Sequence, residues 1–62
     1  MDVITELQNL LQINTDTAEA VRDAMDVAGF DYSECSQRQF NRVARNALDA
    51  VTAVRADMGV IA

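Results

Sequence analysis

Apolar and polar positions alternate with the period of an α-helix in three segments of the chain. Residues 17–28 and 37–58 each carry an apolar stripe at spacings of three and four, and residues 2–12 carry the most regular one. The apolar positions of this first stripe are Val3, Ile4, Leu7, Leu10 and Leu11. Proline, which would break a helix, is absent. The pattern predicts three amphipathic helices and an all-α fold.

Capping residues mark the predicted boundaries of the second helix. Asp16 followed by Glu19 resembles a capping box, which places the first helical residue at 17. Gly29 stands where a left-handed residue commonly ends a helix. Phe30 and Met25 then occupy the two positions that make the hydrophobic contact of a Schellman ending.

The boundaries of the third helix are predicted in the same way. Ser36 and Gln39 form a second capping box, and Cys35 with Phe40 suits a hydrophobic staple. Gly59 is the expected stop. The resulting helix over residues 37–58 is the longest of the three.

The third helix also carries an apolar seam with heptad spacing over nearly three heptads. The seam consists of Phe40, Ala44, Ala47, Val51, Val54 and Met58. Val43 and Leu48 flank it and widen it into a face suited to a bundle. We expect this face to serve the core of the chain and a second subunit together. Exposed parts of the first helix's apolar face are the alternative surface for a dimer.

The length of 62 residues allows one domain, residues 1–62, with a lean core. A core of this size rarely supplies more than about 3–5 kcal/mol of net stability without a disulfide, a metal or oligomerisation. One cysteine and no histidine rule out an intrachain disulfide and the usual zinc set. Many of the apolar residues are alanines, which bury little area. The expected architecture is a compact three-helix bundle completed by formation of a homodimer.

The residue types needed for catalysis are scarce. The chain has no histidine and no lysine, and Cys35 has a structural explanation as part of the staple. The cluster Asp26, Asp31, Ser33 and Glu34 lacks the alternating ligands and central glycine of an EF-hand. No glycine-rich phosphate loop is present. We therefore expect no enzymatic activity, no cofactor and no metal site.

Charge is distributed unevenly along the chain, whose formal net charge is −5. Residues 1–34 contain eight acids and one arginine, whereas residues 35–62 contain four arginines and two aspartates. Spacings of four and three place three acids on one face of the second helix, here named the acidic stripe: Glu19, Asp23 and Asp26. The same spacings define an arginine stripe on the third helix: Arg38, Arg42 and Arg45.

Three interpretations of these stripes remain open. In the first, the stripes are solvated faces that bind nothing. In the second, they bind another protein or a second copy of the chain. In the third, the segment Gln37 to Arg45 forms a nucleic-acid recognition helix. The net charge and a pI near 4.2 oppose nucleic-acid binding. An acidic surface also suits the basic cleft of another protein.

The favoured hypothesis is a small, non-catalytic binding or regulatory protein. An inhibitor of a larger enzyme or complex, of the kind that phages and mobile elements encode, has this size and composition. The first 13 residues are acidic and amphipathic, unlike a secretory signal, and no apolar run approaches the roughly 20 residues of a membrane span. We therefore expect a cytoplasmic location and no contact with membranes.

Overall fold

The computed structural model describes the backbone of residues 2–60 and the side chains of residues 2–57. Within this range the chain forms three helices: α1 (Val3–Leu11), α2 (Thr15–Val27) and α3 (Gln37–Val60). They pack against one another, and the part of the chain described contains no strand. The predicted all-α fold of three packed helices is confirmed.

Helix α1 lies within one residue of its predicted bounds at each end. Asp2 is its N-cap: the Asp2 carboxylate accepts hydrogen bonds from the Thr5 backbone N–H at 3.4 Å and from the Thr5 hydroxyl at 2.6 Å. Gln12 ends the helix in the left-handed conformation, with φ of 56°. These two caps explain why α1 begins at Val3 and ends at Leu11.

The predicted start of α2 is wrong by two residues. Asn14, and not Asp16, is the N-cap, because its side-chain Oδ1 accepts the Thr17 backbone N–H at 2.8 Å. The backbone of Asn14 is extended, as an N-cap requires. Asp16 lies instead in the first helical turn, where a negative charge is favourable near the helix dipole.

The other end of α2 has the predicted Schellman geometry. Gly29 is left-handed with φ of 79°, and its N–H donates to the Asp26 carbonyl at 3.0 Å. The Phe30 N–H donates to the Met25 carbonyl at 3.1 Å, and the Phe30 ring packs on the core. This turn directs the connection back towards α3.

Helix α3 begins as predicted and continues beyond its predicted end. The Ser36 N–H donates to Gln39 Oε1 at 3.0 Å and the Gln39 N–H donates to Ser36 Oγ at 3.2 Å, which is a complete capping box. Gly59 does not stop the helix, whose backbone runs to Val60. Glycine inside a helix costs only about 1 kcal/mol relative to alanine, so it permits a helix end without imposing one.

The core lies between the three helices and is as lean as the composition suggests. Six apolar residues are fully or almost fully buried: Leu7, Ala18, Val21, Met25, Phe40 and Ala44. The rings of Phe30, Tyr32 and Phe40 cluster at one end, with centroids 5.3–6.4 Å apart. Helix α1 packs mainly on α2, and α2 packs mainly on α3. Helices α2 and α3 therefore form the central pair, which α1 covers on one side.

Within the described residues no helix combines the length and the apolar character that crossing a bilayer requires.

Candidate partner-binding surface

The arginine stripe lies on the outer face of α3. Arg38, Arg42 and Arg45 are exposed, on the side of the helix opposite the buried Phe40 and Ala44. Among the residues whose side chains are described, no carboxylate lies within salt-bridge distance of these three guanidinium groups. Three cations are thus presented along one line of the helix with no anionic partner in that part of the chain.

The polar side chains at the start of α3 are bonded to one another. Gln37 Nε2 donates to Asn41 Oδ1 at 2.8 Å, and Ser36 and Gln39 form the capping box. A recognition helix would use these same groups to contact base edges. To contact bases, these side chains would therefore have to break their hydrogen bonds with one another.

The acidic stripe lies on the outer face of α2, but its three members differ. Glu19, Asp23 and Asp26 are all exposed. Asp23 Oδ1 lies 3.9 Å from Arg22 Nη2, which is a weak exposed pair. Asp26 Oδ1 accepts the Tyr32 hydroxyl at 3.0 Å. Asp26 therefore helps to hold the α2–α3 connection, while Glu19 and Asp23 point into solvent.

The link between Asp26 and Tyr32 has an electrostatic consequence. Partial burial raises the pKa of Tyr32 to about 12, and the hydrogen bond to Asp26 and the negative charge of Asp26 add to this effect. The protonated phenol is therefore the form that the fold favours. The sequence does not reveal this contact, because helical spacing does not determine the path of residues 28–36.

The structure keeps the two stripes apart. Both point away from the core, and within the described part of the chain no member of one forms an ion pair with a member of the other. The charges of the two stripes are therefore not neutralised by each other within the described residues.

The heptad seam is divided along its length. Phe40 and Ala44 are buried in the core, Ala47 and Val51 are half-buried, and Val54 is 58% exposed. The remaining member, Met58, has a side chain outside the described residues. The first half of the seam is occupied by the chain's own core, and Val54 is uncovered.

An apolar groove lies between α2 and α3 and was not found from the sequence. Its volume is about 320 Å³, and its lining is Ala20, Ala24, Ala50, Val51, Val54 and Arg55. The Arg55 guanidinium donates to Thr17 Oγ1 at 2.7 Å and closes one end. The signal in the sequence was the set Ala20, Ala24 and Val27, whose spacing forms a second apolar line on α2.

A second depression, of about 430 Å³, lies between the Gly29 turn and the start of α3. Asp31, Glu34 and Arg42 contribute charged groups to its walls. Asp31 Oδ1 accepts the Ser33 hydroxyl at 2.7 Å and the Ser33 N–H at 3.0 Å, and these bonds lower the pKa of Asp31. No group of three or more potential metal ligands occurs among the described side chains.

No protein-family model matches the chain, and no curated protein or solved structure is significantly similar to it. Its surface chemistry is therefore the only support for a function.

Proposed function

We propose that this chain is a small, non-catalytic protein that binds another protein through the arginine stripe of α3. The observation that carries the proposal is the presence of three outward guanidinium groups without carboxylate partners in the described part of an acidic chain. Guanidinium groups pair with carboxylates in a planar, two-pronged geometry that suits interfaces.

The geometry of the stripe specifies the partner surface. Arg38 to Arg45 span seven residues, or about 10 Å along the helix axis. A partner with two or three carboxylates over that distance would pair with all three arginines. Complementary charge of this kind accelerates association and fixes orientation.

The proposal contains no catalytic step. Cys35 is half-buried against the core, and its thiol donates to the Tyr32 carbonyl at 3.3 Å, which is a structural role. Histidine and lysine, the usual bases near a reactive thiol, do not occur in the chain. We place the protein in the cytoplasm, where a single cysteine stays reduced.

The experiment is affinity capture from native lysate with three versions of the chain. Arg42→Gln/Arg45→Gln removes two positive charges from the stripe. The control Asn9→Glu/Ala53→Glu adds two negative charges at exposed sites outside the stripe, so both variants have the same net charge. We expect the wild type and the control to recover the same protein and the stripe variant to lose it.

Equal recovery by the stripe variant and its control would contradict the proposal. Treating the lysate with nuclease distinguishes protein binding from the remaining alternative, which is nucleic-acid binding. If the captured material disappears after that treatment and its binding weakens steeply with salt, α3 binds nucleic acid instead.

A further inference from the structure

Two large apolar side chains are exposed in the described part of the chain, and they lie on the same side of the molecule. Val27 of α2 is 89% exposed and Val54 of α3 is 58% exposed. Ala20 and Ala24 line the α2–α3 groove, and Val27 follows them at the next helical spacing. Val54 lines the same groove from α3. Val54 is therefore exposed in the groove, and Val27 extends the apolar line of α2 beyond the residues that line it.

The second depression lies towards the start of α3 and shares no lining residue with the groove. Val43 lies seven residues before Ala50 on α3, so both point to the same side of that helix. Val43 and Ala28 line the second depression, while Ala50 lines the groove. The stretch of α3 from Val43, which lines the second depression, to Val54, which lines the groove, is about 16 Å long, or three helical turns.

The groove lies on the central helix pair, at a face of α2 that is turned away from the core. Ala20 and Ala24 are on the far side of α2 from Ala18, which is buried in the core. Small side chains on the groove floor allow the backbone of another helix to approach closely. A fourth helix placed there would cover Val27 and Val54 and complete a four-helix arrangement.

The lining of the groove contains one charged residue, Arg55, and helical spacing places acidic residues beside this lining. Asp16 and Asp23 lie at helical spacing from Ala20 and Val27 on α2, and Asp57 lies three residues after Val54 on α3. Asp31 and Glu34 stand at the end that contains the second depression. These five acids face two arginines, Arg42 and Arg55, and Arg55 is bonded to Thr17.

We infer that this groove binds an amphipathic helix of a partner protein, with an apolar stripe flanked by lysine or arginine. The inference goes beyond the proposed function, because the groove is a surface separate from the arginine stripe. Acidic residues beside an apolar floor complement that helix in both respects. A second copy of the chain carries the same charge of −5 and would bring the same acidic residues against these.

The probe is a synthetic helical peptide of about four turns with leucine at spacings of three and four and lysine on both flanks. A matched peptide has glutamate in place of lysine. Val54→Arg tests the groove, and Ala53→Arg is its control, because both add one positive charge at neighbouring exposed positions of α3. Ala53 does not line the groove.

Isothermal titration of the full chain should show saturable binding of the lysine peptide and none of the glutamate peptide. Val54→Arg should weaken binding at least about tenfold, the effect of losing one central anchor residue, and Ala53→Arg should leave it unchanged. Ala50→Arg provides a second groove variant if thermal melting shows that Val54→Arg unfolds the chain.

Four results would overturn the inference: no binding of the lysine peptide, equal binding of both peptides, equal weakening by Val54→Arg and Ala53→Arg, or a homodimer in sedimentation that Val54→Arg dissociates. The last result would identify a second copy as the occupant. Failure of the peptide to bind, with capture still dependent on Arg42 and Arg45, removes the groove and leaves the proposed function intact. Capture that depends on Val54 but not on these arginines removes the stripe and retains the groove.

Discussion

Tyr32 reports on the packing of the α2–α3 connection, since it is the only tyrosine and the chain has no tryptophan. Burial and the neighbouring Asp26 raise the pKa of Tyr32 to about 12. The phenolate absorbance of the folded chain should therefore titrate near pH 12, against about pH 10 for the denatured chain. Asp26→Asn should lower the pKa of Tyr32, because it removes the negative charge beside the hydroxyl.

The raised pKa of Tyr32 also fixes the sign of a pH dependence. Above pH 10 the unfolded chain loses the phenolic proton while the folded chain keeps it. The contribution of Tyr32 to stability is therefore fully present below pH 10 and is lost as the pH rises through 12. A native titration midpoint at pH 10, unchanged in Asp26→Asn, would show that the contact with Asp26 does not form.

Gly29 provides a backbone test at the same scale. Its φ of 79° is strained for any residue with a Cβ atom, yet an added Cβ would meet no atom within 4 Å. Gly29→Ala should thus destabilise the fold by about 1–2 kcal/mol through backbone strain alone. Urea denaturation measures this change, with Gly59→Ala, inside the helical backbone of α3, as a control expected not to destabilise. A Gly29→Ala chain as stable as the wild type would argue against the left-handed turn.

At the scale of the helices, the sequence predicts correctly those helix ends that depend on hydrogen bonds between residues close together in the chain. The caps at Ser36 and Gly29 were predicted correctly because each involves residues within a few positions of one another. The start of α2 was wrong because Asn14 and Asp16 are equally good N-caps, and the short turn from α1 decides between them. The groove was missed because it depends on how two helices are placed against each other.

The longest-range bond between described side chains tests how α2 and α3 are joined. Arg55 donates to Thr17, 38 residues earlier and 91% buried, at 2.7 Å. Thr17→Val should cost about 1 kcal/mol, and Arg55→Leu a similar amount. If the bond accounts for both losses, a double-mutant cycle in urea should give a coupling energy of at least about 0.5 kcal/mol, whereas additive losses would contradict the contact.

For the whole molecule, the arrangement of helices explains why a partner is expected. Helix α3 has 24 residues and α2 has 13, so α3 extends beyond α2 and contributes to the 40 Å long axis. Helix α1 packs on the central pair, while the groove between α2 and α3 leaves Val54 exposed and Val27 is exposed on α2. The arginine stripe points away from the core. The chain thus presents an apolar surface that its own described residues do not cover and arginines with which no described carboxylate pairs.

The most direct test of protein binding through α3 is the amount of partner recovered by Arg42→Gln/Arg45→Gln relative to Asn9→Glu/Ala53→Glu. Both variants carry the same net charge, so the ratio measures the effect of removing the arginines of the stripe and not the effect of net charge. If each arginine contributes as an interface anchor, the ratio should fall to about one tenth or less. A ratio near one would contradict the account.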